Sequence, residues 1–263
     1  MLIDSHCHLD LLPDYVTSLC DADAVGVKYI LCPGVALADT ERVLSIAQKY
    51  PNVFAAVGSH PTEEVDLLIT AEQIKSLAID QYVVGIGETG LDYYARDGEI
   101  SVEQKEQQKQ KFRVHIQVAL ELKKPLIIHS RDAAAETLQI MEEQGAPQVG
   151  GVFHCFTYDW SIAQQVLNLG FYLGISGIIT FKNAHILQEV VAKAPLEKIL
   201  LETDAPFLAP DPYRGKPNEP KYLIYIARQI AKLKGISEEV VAKQTTENFG
   251  RLFQKSQVAK TNF

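Results

Sequence analysis

Six side chains in this sequence carry donors suited to a divalent cation, and each stands at or near the end of an apolar run. The first run, Leu2–Leu9, contains His6-Cys7-His8. On a strand, residues i and i+2 project from one side, so both imidazoles could meet one ion while Cys7 turns to the opposite face and packs. By itself the triplet reads equally well as two histidines hydrogen-bonded at a strand end. Recurrence shifts the balance. Glu88 follows Gly85-Ile86-Gly87, His129 follows Ile127-Ile128, His154 follows Val152-Phe153, and Asp204 follows Leu200-Leu201-Glu202-Thr203.

Four imidazoles and two carboxylates exceed what one four-coordinate ion needs. A pair of ions about 3.5–4 Å apart, bridged by Glu88, accommodates the set better. The expected division is His6, His8 and Asp204 on one ion, and His129 and His154 on the other. Histidine-rich ligation suits zinc, manganese, iron or nickel, and magnesium favours oxygen; the two expected cofactor ions are Zn2+, Mn2+ or Mg2+, with identity open.

Such a constellation needs a scaffold that brings distant strand ends together. Eight short apolar runs alternate with amphipathic stretches: Leu2–Leu9, Tyr29–Pro33, Val53–Gly58, Val83–Gly87, Pro125–His129, Gly151–Phe156, Phe171–Ile175 and Ile199–Thr203. Near-continuous apolar runs are the mark of parallel strands covered by helices. Eight of them, with their polar ends evenly distributed, predict a single TIM-type (β/α)8 barrel over 1–263, since about 250 residues suffice for one. An open doubly wound sheet is the alternative the pattern also allows. Ser101 and Gln104 form a capping box opening a helix to about Leu122, with Phe112, Ile116, Ala119 and Leu120 on one face. Ser237, followed by Glu238 and Glu239, opens a last helix ending near Phe253.

Composition narrows the classes. With 47% hydrophobic and 22% charged residues the chain can build a large core. A net charge of −8 argues against coating duplex DNA through a basic face. It leaves room for an enzyme that grips one strand end, because bound cations invert the charge of an acidic pocket. The four cysteines show no Cys-x-x-Cys spacing, no run approaches a membrane span, and Met1-Leu2-Ile3-Asp4 has no leader pattern. A cytoplasmic location without membrane contact is expected.

The motifs Ser5-His6-Cys7-His8-Leu9, Gly58-Ser59-His60-Pro61, Gly87-Glu88-Thr89-Gly90-Leu91-Asp92, His129-Ser130-Arg131 and His154-Cys155-Phe156 resemble the TatD family of metal-dependent deoxyribonucleases, within the amidohydrolase-like barrels. So do Leu201-Glu202-Thr203-Asp204-Ala205-Pro206 and Tyr213-Arg214-Gly215-Lys216-Pro217-Asn218-Glu219-Pro220, the last being the most specific. The resemblance implies a TIM barrel, one to three divalent ions and hydrolysis of DNA ends, with single-stranded DNA or DNA ends as the partner and 3′–5′ exonuclease action. It keeps the first His-x-His, which some members lack.

In that frame Asp204 is the expected general base as well as a ligand, and Glu88 the bridge. His60, before Pro61 at the third strand end, is expected to touch substrate. Arg131, two residues beyond His129, either holds a phosphate bidentately or forms a surface ion pair. Arg214 and Lys216 either position phosphate or belong to a solvated loop; the resemblance favours the former. Glu202 shares a face with Asp204 and could orient a ligand. Tyr93 and Tyr94 could stack on a base or be exposed loop residues. His115 and His185 read as structural, and Cys7 and Cys155 as packing. Two other functions compete: a barrel hydrolase cleaving a C–N or carboxyl-ester bond, and a binding scaffold without catalysis. Hydrolases of the first kind often bridge their metals with a modified lysine on the fourth strand, where Glu88 stands here; the scaffold reading predicts missing ligands, and none is missing.

Overall fold

The apolar runs become eight parallel strands paired in chain order: β1 (Leu2–Asp4), β2 (Val27–Pro33), β3 (Val53–Val57), β4 (Val83–Asp92), β5 (Leu126–Arg131), β6 (Gly151–Phe153), β7 (Tyr172–Ile175) and β8 (Ile199–Leu201). The computed structural model describes residues 1–63, 69–95 and 98–254; the rest of the expected 1–263 span lies outside them. Helices α1 (Tyr15–Ala24), α2 (Thr40–Lys49), α3 (Ala71–Ala78), α4 (Val102–Leu122), α5 (Ala134–Glu143), α6 (Trp160–Asn168), α7 (His185–Lys193), α8 (Leu223–Lys234) and α9 (Glu238–Leu252) surround the sheet. The order is that of a (β/α)8 barrel rather than an open doubly wound sheet.

Closure between β8 and β1 is made just past the strand ends. Ser5 N–H donates to Leu201 O at 2.9 Å, Asp204 N–H to His6 O at 2.8 Å, and His8 N–H to Ala205 O at 2.9 Å. Below them the Asp4 carboxylate accepts from Thr203 N–H at 2.8 Å and from the Thr203 hydroxyl. This buried acid sews the first strand to the last, and burial pushes its pKa up to about 8 against the lowering effect of the Thr203 hydrogen bonds.

Two apolar layers result. The larger lies between sheet and helices and takes in Phe112, Ile116 and Ala119 of α4, the face the sequence pattern predicts. The capping box that opens α4 is complete, with Ser101 Oγ accepting from Gln104 N–H and Gln104 Oε1 from Ser101 N–H. The smaller layer fills the barrel interior near the strand starts: Ile3, Phe54, Val84, Ile127, Val152 and Leu200 are each the second residue of their strand. Helix α9, capped by Ser237, plugs this end with Phe249 and Phe253, whose ring centroids lie 4.7 Å apart. Among the described residues no helix is long and apolar enough to cross a membrane.

Most strand boundaries differ from the sequence reading by a few residues, and two of the differences shape the site. β1 ends at Asp4 rather than running to Leu9, so His6 and His8 lie beyond the ladder. Their convergence survives because the backbone stays tied alternately to either side, Ser5 N–H to β8 and Cys7 N–H to Leu31 O of β2 at 3.0 Å. Cys7 accordingly turns outward into the larger layer, fully buried. β4, expected to end at Gly87, continues to Asp92 by pairing with β5 through Asp92↔Arg131. Glu88 is therefore held inside a strand, not at its fraying end.

Candidate metal centre

Glu88 is the hub of the polar end. Its two carboxylate oxygens divide the surrounding imidazoles. Oε2 lies 3.2 Å from His6 Nε2 and 3.8 Å from His8 Nε2. Oε1 lies 2.9 Å from His129 Nδ1, and 3.7 Å from both His60 Nε2 and His154 Nε2. Asp204 closes the other side, with Oδ1 at 3.5 Å from His8 Nε2, 3.8 Å from His6 Nε2 and 3.7 Å from His154 Nε2. All six sequence-predicted ligands thus meet in one volume, from five different strands or strand ends.

The backbone makes room for this. A Cβ on Gly58, just past β3, would come within 2.6 Å of Gly87 Cα, and one on Gly87 would meet Ile127 O at 2.5 Å. Only glycine permits so close an approach of β3, β4 and β5 around Glu88.

Partners behind the centre fix the rings. Asp92 Oδ2 lies 3.0 Å from His129 Nε2, so that ring is gripped from both sides. Glu202 Oε1 lies 3.0 Å from His154 Nδ1, outside hydrogen-bond geometry, and accepts a hydrogen bond from Cys155 N–H. His154 also stacks on His6 with centroids 3.4 Å apart. Fully buried Lys111 reaches from α4 to donate to His60 O at 2.7 Å and Glu63 O at 2.9 Å. His115 Nε2, one turn along, accepts from Ser59 N–H at 3.0 Å. The His60 segment is therefore pinned from the helix layer.

Electrostatics follow from burial and crowding. Burial pushes the Glu88 carboxyl up, but the imidazoles of His154 and His6 and the hydrogen bond from His129 outweigh it and hold the group well below the carboxylate range. Asp204 is likewise lowered: against burial stand its hydrogen bond from His8 and the nearby His154. His154, opposed by burial, is raised to about 10 by Glu202 and Glu88. Burial dominates at His60 and drives it down to about 4, which leaves that imidazole neutral at pH 7.

The donor set fits divalent cations. His6, His8 and Asp204 form one group whose ligand atoms lie within 4.8 Å of one another, and His60, Glu88 and His129 form a second. The His6 and His8 Nε2 atoms face each other at 3.2 Å, with the Glu88 and Asp204 carboxylates within 4 Å of both. His6 Nδ1 and His8 Nδ1 are buried without a hydrogen-bond partner among the described residues, which leaves their Nε2 atoms as the ones committed to the centre. Nitrogen and oxygen donors together suit zinc or manganese better than a purely oxygen-seeking ion. One or two divalent cations can be held here, with Glu88 between the two groups.

His129 groups with Glu88 and with His60, which the sequence reading assigned to substrate, rather than with His154, which groups instead with His6 and Glu202 and with Cys155 and Asp204. Arg131 is exposed at the end of β5, where its guanidinium lies 3.6 Å over the ring of half-exposed Tyr94. Arg214 and Lys216 are exposed in the loop after β8; Arg214 sits 4.2 Å over the Phe181 ring, and neither residue lines the centre or the cleft beside it. His185 is exposed at the start of α7. Sequence reasoning missed Asp92 and Lys111. Asp92 was hidden by the early end assigned to β4, although it stands in the same motif as Glu88. Lys111 had a signal, a cation on the apolar face of α4 between Gln108 and Phe112.

A family model described as TatD related DNase matches residues 3–254. The chain is 42% identical over 259 residues to the metal-dependent hydrolase YcfH of Escherichia coli K12, covering 96% of this chain and 95% of that protein. It is 41% identical over 261 residues to the metal-dependent hydrolase YabD of Bacillus subtilis, covering 97% and 99%. The crystal structure of YjjV, a TatD homologue from Escherichia coli K12, superposes with a TM-score of 0.87 at 30% identity, over 96% of this chain and 98% of that one.

Proposed function

The chain belongs to the TatD-related DNase family, and from that premise we propose that it is a divalent-metal-dependent phosphodiesterase that shortens DNA from a 3′ end. The observation that carries this reading is the division of the Glu88 carboxylate between two groups of imidazoles, each completed within hydrogen-bonding reach of the other.

His6, His8 and Asp204 would hold one cation, His60, Glu88 and His129 a second, and His154 stands between Glu88 and Asp204. Bound there, divalent cations neutralise the phosphate and acidify water towards neutrality. The protein does the rest. Asp204, kept ionised by its neighbours and open at the mouth of the centre, accepts the proton of the attacking water. Glu88 holds both imidazole groups at fixed spacing and stays ionised for the same reason. Asp92 and Glu202 orient His129 and His154. Arg131 offers a planar, permanently charged fork at the rim, the geometry phosphate recognition favours. The acidic net charge of −8 suits an enzyme that takes one strand end into a pocket rather than one that coats duplex DNA.

The test is hydrolysis of a 5′-labelled single-stranded oligonucleotide by metal-stripped protein, with Mg2+, Mn2+ or Zn2+ restored separately and His6→Ala alongside. Stepwise shortening from the 3′ end that requires added metal and drops at least about a hundredfold in the variant is expected. No shortening with any ion, in protein that binds metal, would reject the reading.

A further inference from the structure

A cleft of about 460 Å³ opens beside the metal centre, and it shares His129, His154 and Asp204 with it. Its volume lies within the range of small-molecule sites. Its lining combines the apolar side chains of Phe207, Leu208 and Ile178 with Arg131 and Thr157.

Phe207 is the unusual member. Half of its surface is exposed (51%), although a buried neighbourhood lies next to it. Its ring meets His8 edge-to-face, with centroids 6.0 Å apart. The backbone beneath it is fixed: Phe207 N–H donates to Asp204 O at 2.8 Å, and Asn218 Nδ2, on a fully buried residue, donates to Phe207 O at 2.7 Å.

The cleft wall is also conformationally costly. Cys155, Asp204 and Leu208 all line it, and all three have positive φ, at 44°, 59° and 56°. Such left-handed residues are strained and gather at ligand clamps. Gly177 permits the arrangement, since a Cβ there would lie 2.1 Å from Leu208 O. Arg131, which also lines the cleft, has its guanidinium 3.6 Å over the Tyr94 ring, and among the described residues no carboxylate forms an ion pair with it.

An apolar lining with an aromatic ring, a metal-competent centre and an unneutralised guanidinium in one cleft match a planar heterocycle joined to phosphate. Resting on the phosphodiesterase reading above, we propose that this cleft is a nucleobase subsite: the base of the terminal nucleotide stacks on Phe207, with its phosphate at the metal centre and the adjoining phosphate at Arg131. Phe207 is the residue that makes the enzyme prefer nucleotides over simple phosphate esters. Stacking is indifferent to base identity, so the subsite accepts all four bases.

The experiment compares calorimetric binding of thymidine 5′-monophosphate and inorganic phosphate to the metal-loaded full chain, for the wild type, Phe207→Ala and Phe207→Trp. Oligonucleotide hydrolysis by the wild type is run in parallel. Phe207→Ala should weaken the nucleotide about tenfold or more and change inorganic phosphate less than about twofold, and Phe207→Trp should restore the nucleotide. Equal weakening of both ligands, no weakening of either, or wild-type protein that binds the nucleotide no tighter than phosphate would overturn the subsite. If that happens while the oligonucleotide is still shortened, only the subsite falls. Nucleotide binding that depends on Phe207, without oligonucleotide cleavage, removes the exonuclease reading and leaves the base subsite standing.

Discussion

The two ends of the barrel interior are built from the same strands and filled on opposite terms. Towards the strand starts, Ile3, Phe54, Val84, Ile127 and Leu200 form one apolar cluster with the rings of Phe249 and Phe253. A few residues further along the same strands the interior holds His6, His8, Glu88, His154 and Asp204, each less than a tenth exposed. The first end lowers the free energy of the fold by removing apolar surface from water, at about 25 cal/mol per Å². The second gathers ionisable groups whose burial costs free energy unless they are paired or bind a cation. Stability and chemistry are thus separated along the barrel axis, and substitutions should separate in the same way.

The largest effect should come from the apolar plug. Phe249→Ala removes a 1%-exposed ring that packs on Phe54 and Phe253, and should cost about 3–5 kcal/mol in urea unfolding. Turnover by the folded fraction should stay within about twofold of wild type. A variant with normal stability, or one folded but inactive, would break the separation of the two ends.

Asp204→Ala is the converse. Hydrolysis should fall at least about a hundredfold, near 2.7 kcal/mol in barrier, while the protein still folds with the denaturation midpoint of its metal-free form lowered, because His8 and His154 lose a buried ionised partner. Near-normal turnover in folded, metal-loaded protein would remove Asp204 from its assigned role.

The smallest effect sharpens the comparison. Asp92 does not face the first metal group; it holds His129 from behind. Asp92→Asn should weaken the affinity of one metal equivalent about 10- to 100-fold, measured by competition with a chelator, and leave the other equivalent unchanged. Equal loss at both equivalents would mean that the two imidazole groups do not act separately across Glu88.

Much of this was readable before any coordinates. Apolar runs of strand length are a local property, so eight strands and the alternation with helices are visible in sequence, as is the capping box of α4. The six candidate ligands were visible for a related reason: a polar donor that interrupts an apolar run is conspicuous, and parallel strands deliver such residues to one rim. Boundaries were less legible. Nothing local tells that β1 leaves the ladder at Asp4, because Ser5 and Cys7 remain hydrogen-bonded to β8 and β2 by residues far away in the chain. Nor could β4 be seen to pass Gly87, where glycine usually ends a strand and here makes space for Ile127.

Donor identity and order were therefore set by the chain alone: His, Glu and Asp at strand ends specify cation chemistry whatever their exact spacing. Which donors share a cation was not. His60 entered the group with Glu88 and His129 because Lys111 and His115, on helix α4 after the next strand, hold the backbone of His60 and Ser59 in place. Asp92 became the partner of His129, and Phe207 came to face the cleft beside Asp204, for the same kind of reason. Distances of about 3 Å between residues tens of positions apart depend on barrel closure and side-chain packing, and those are properties of the folded whole.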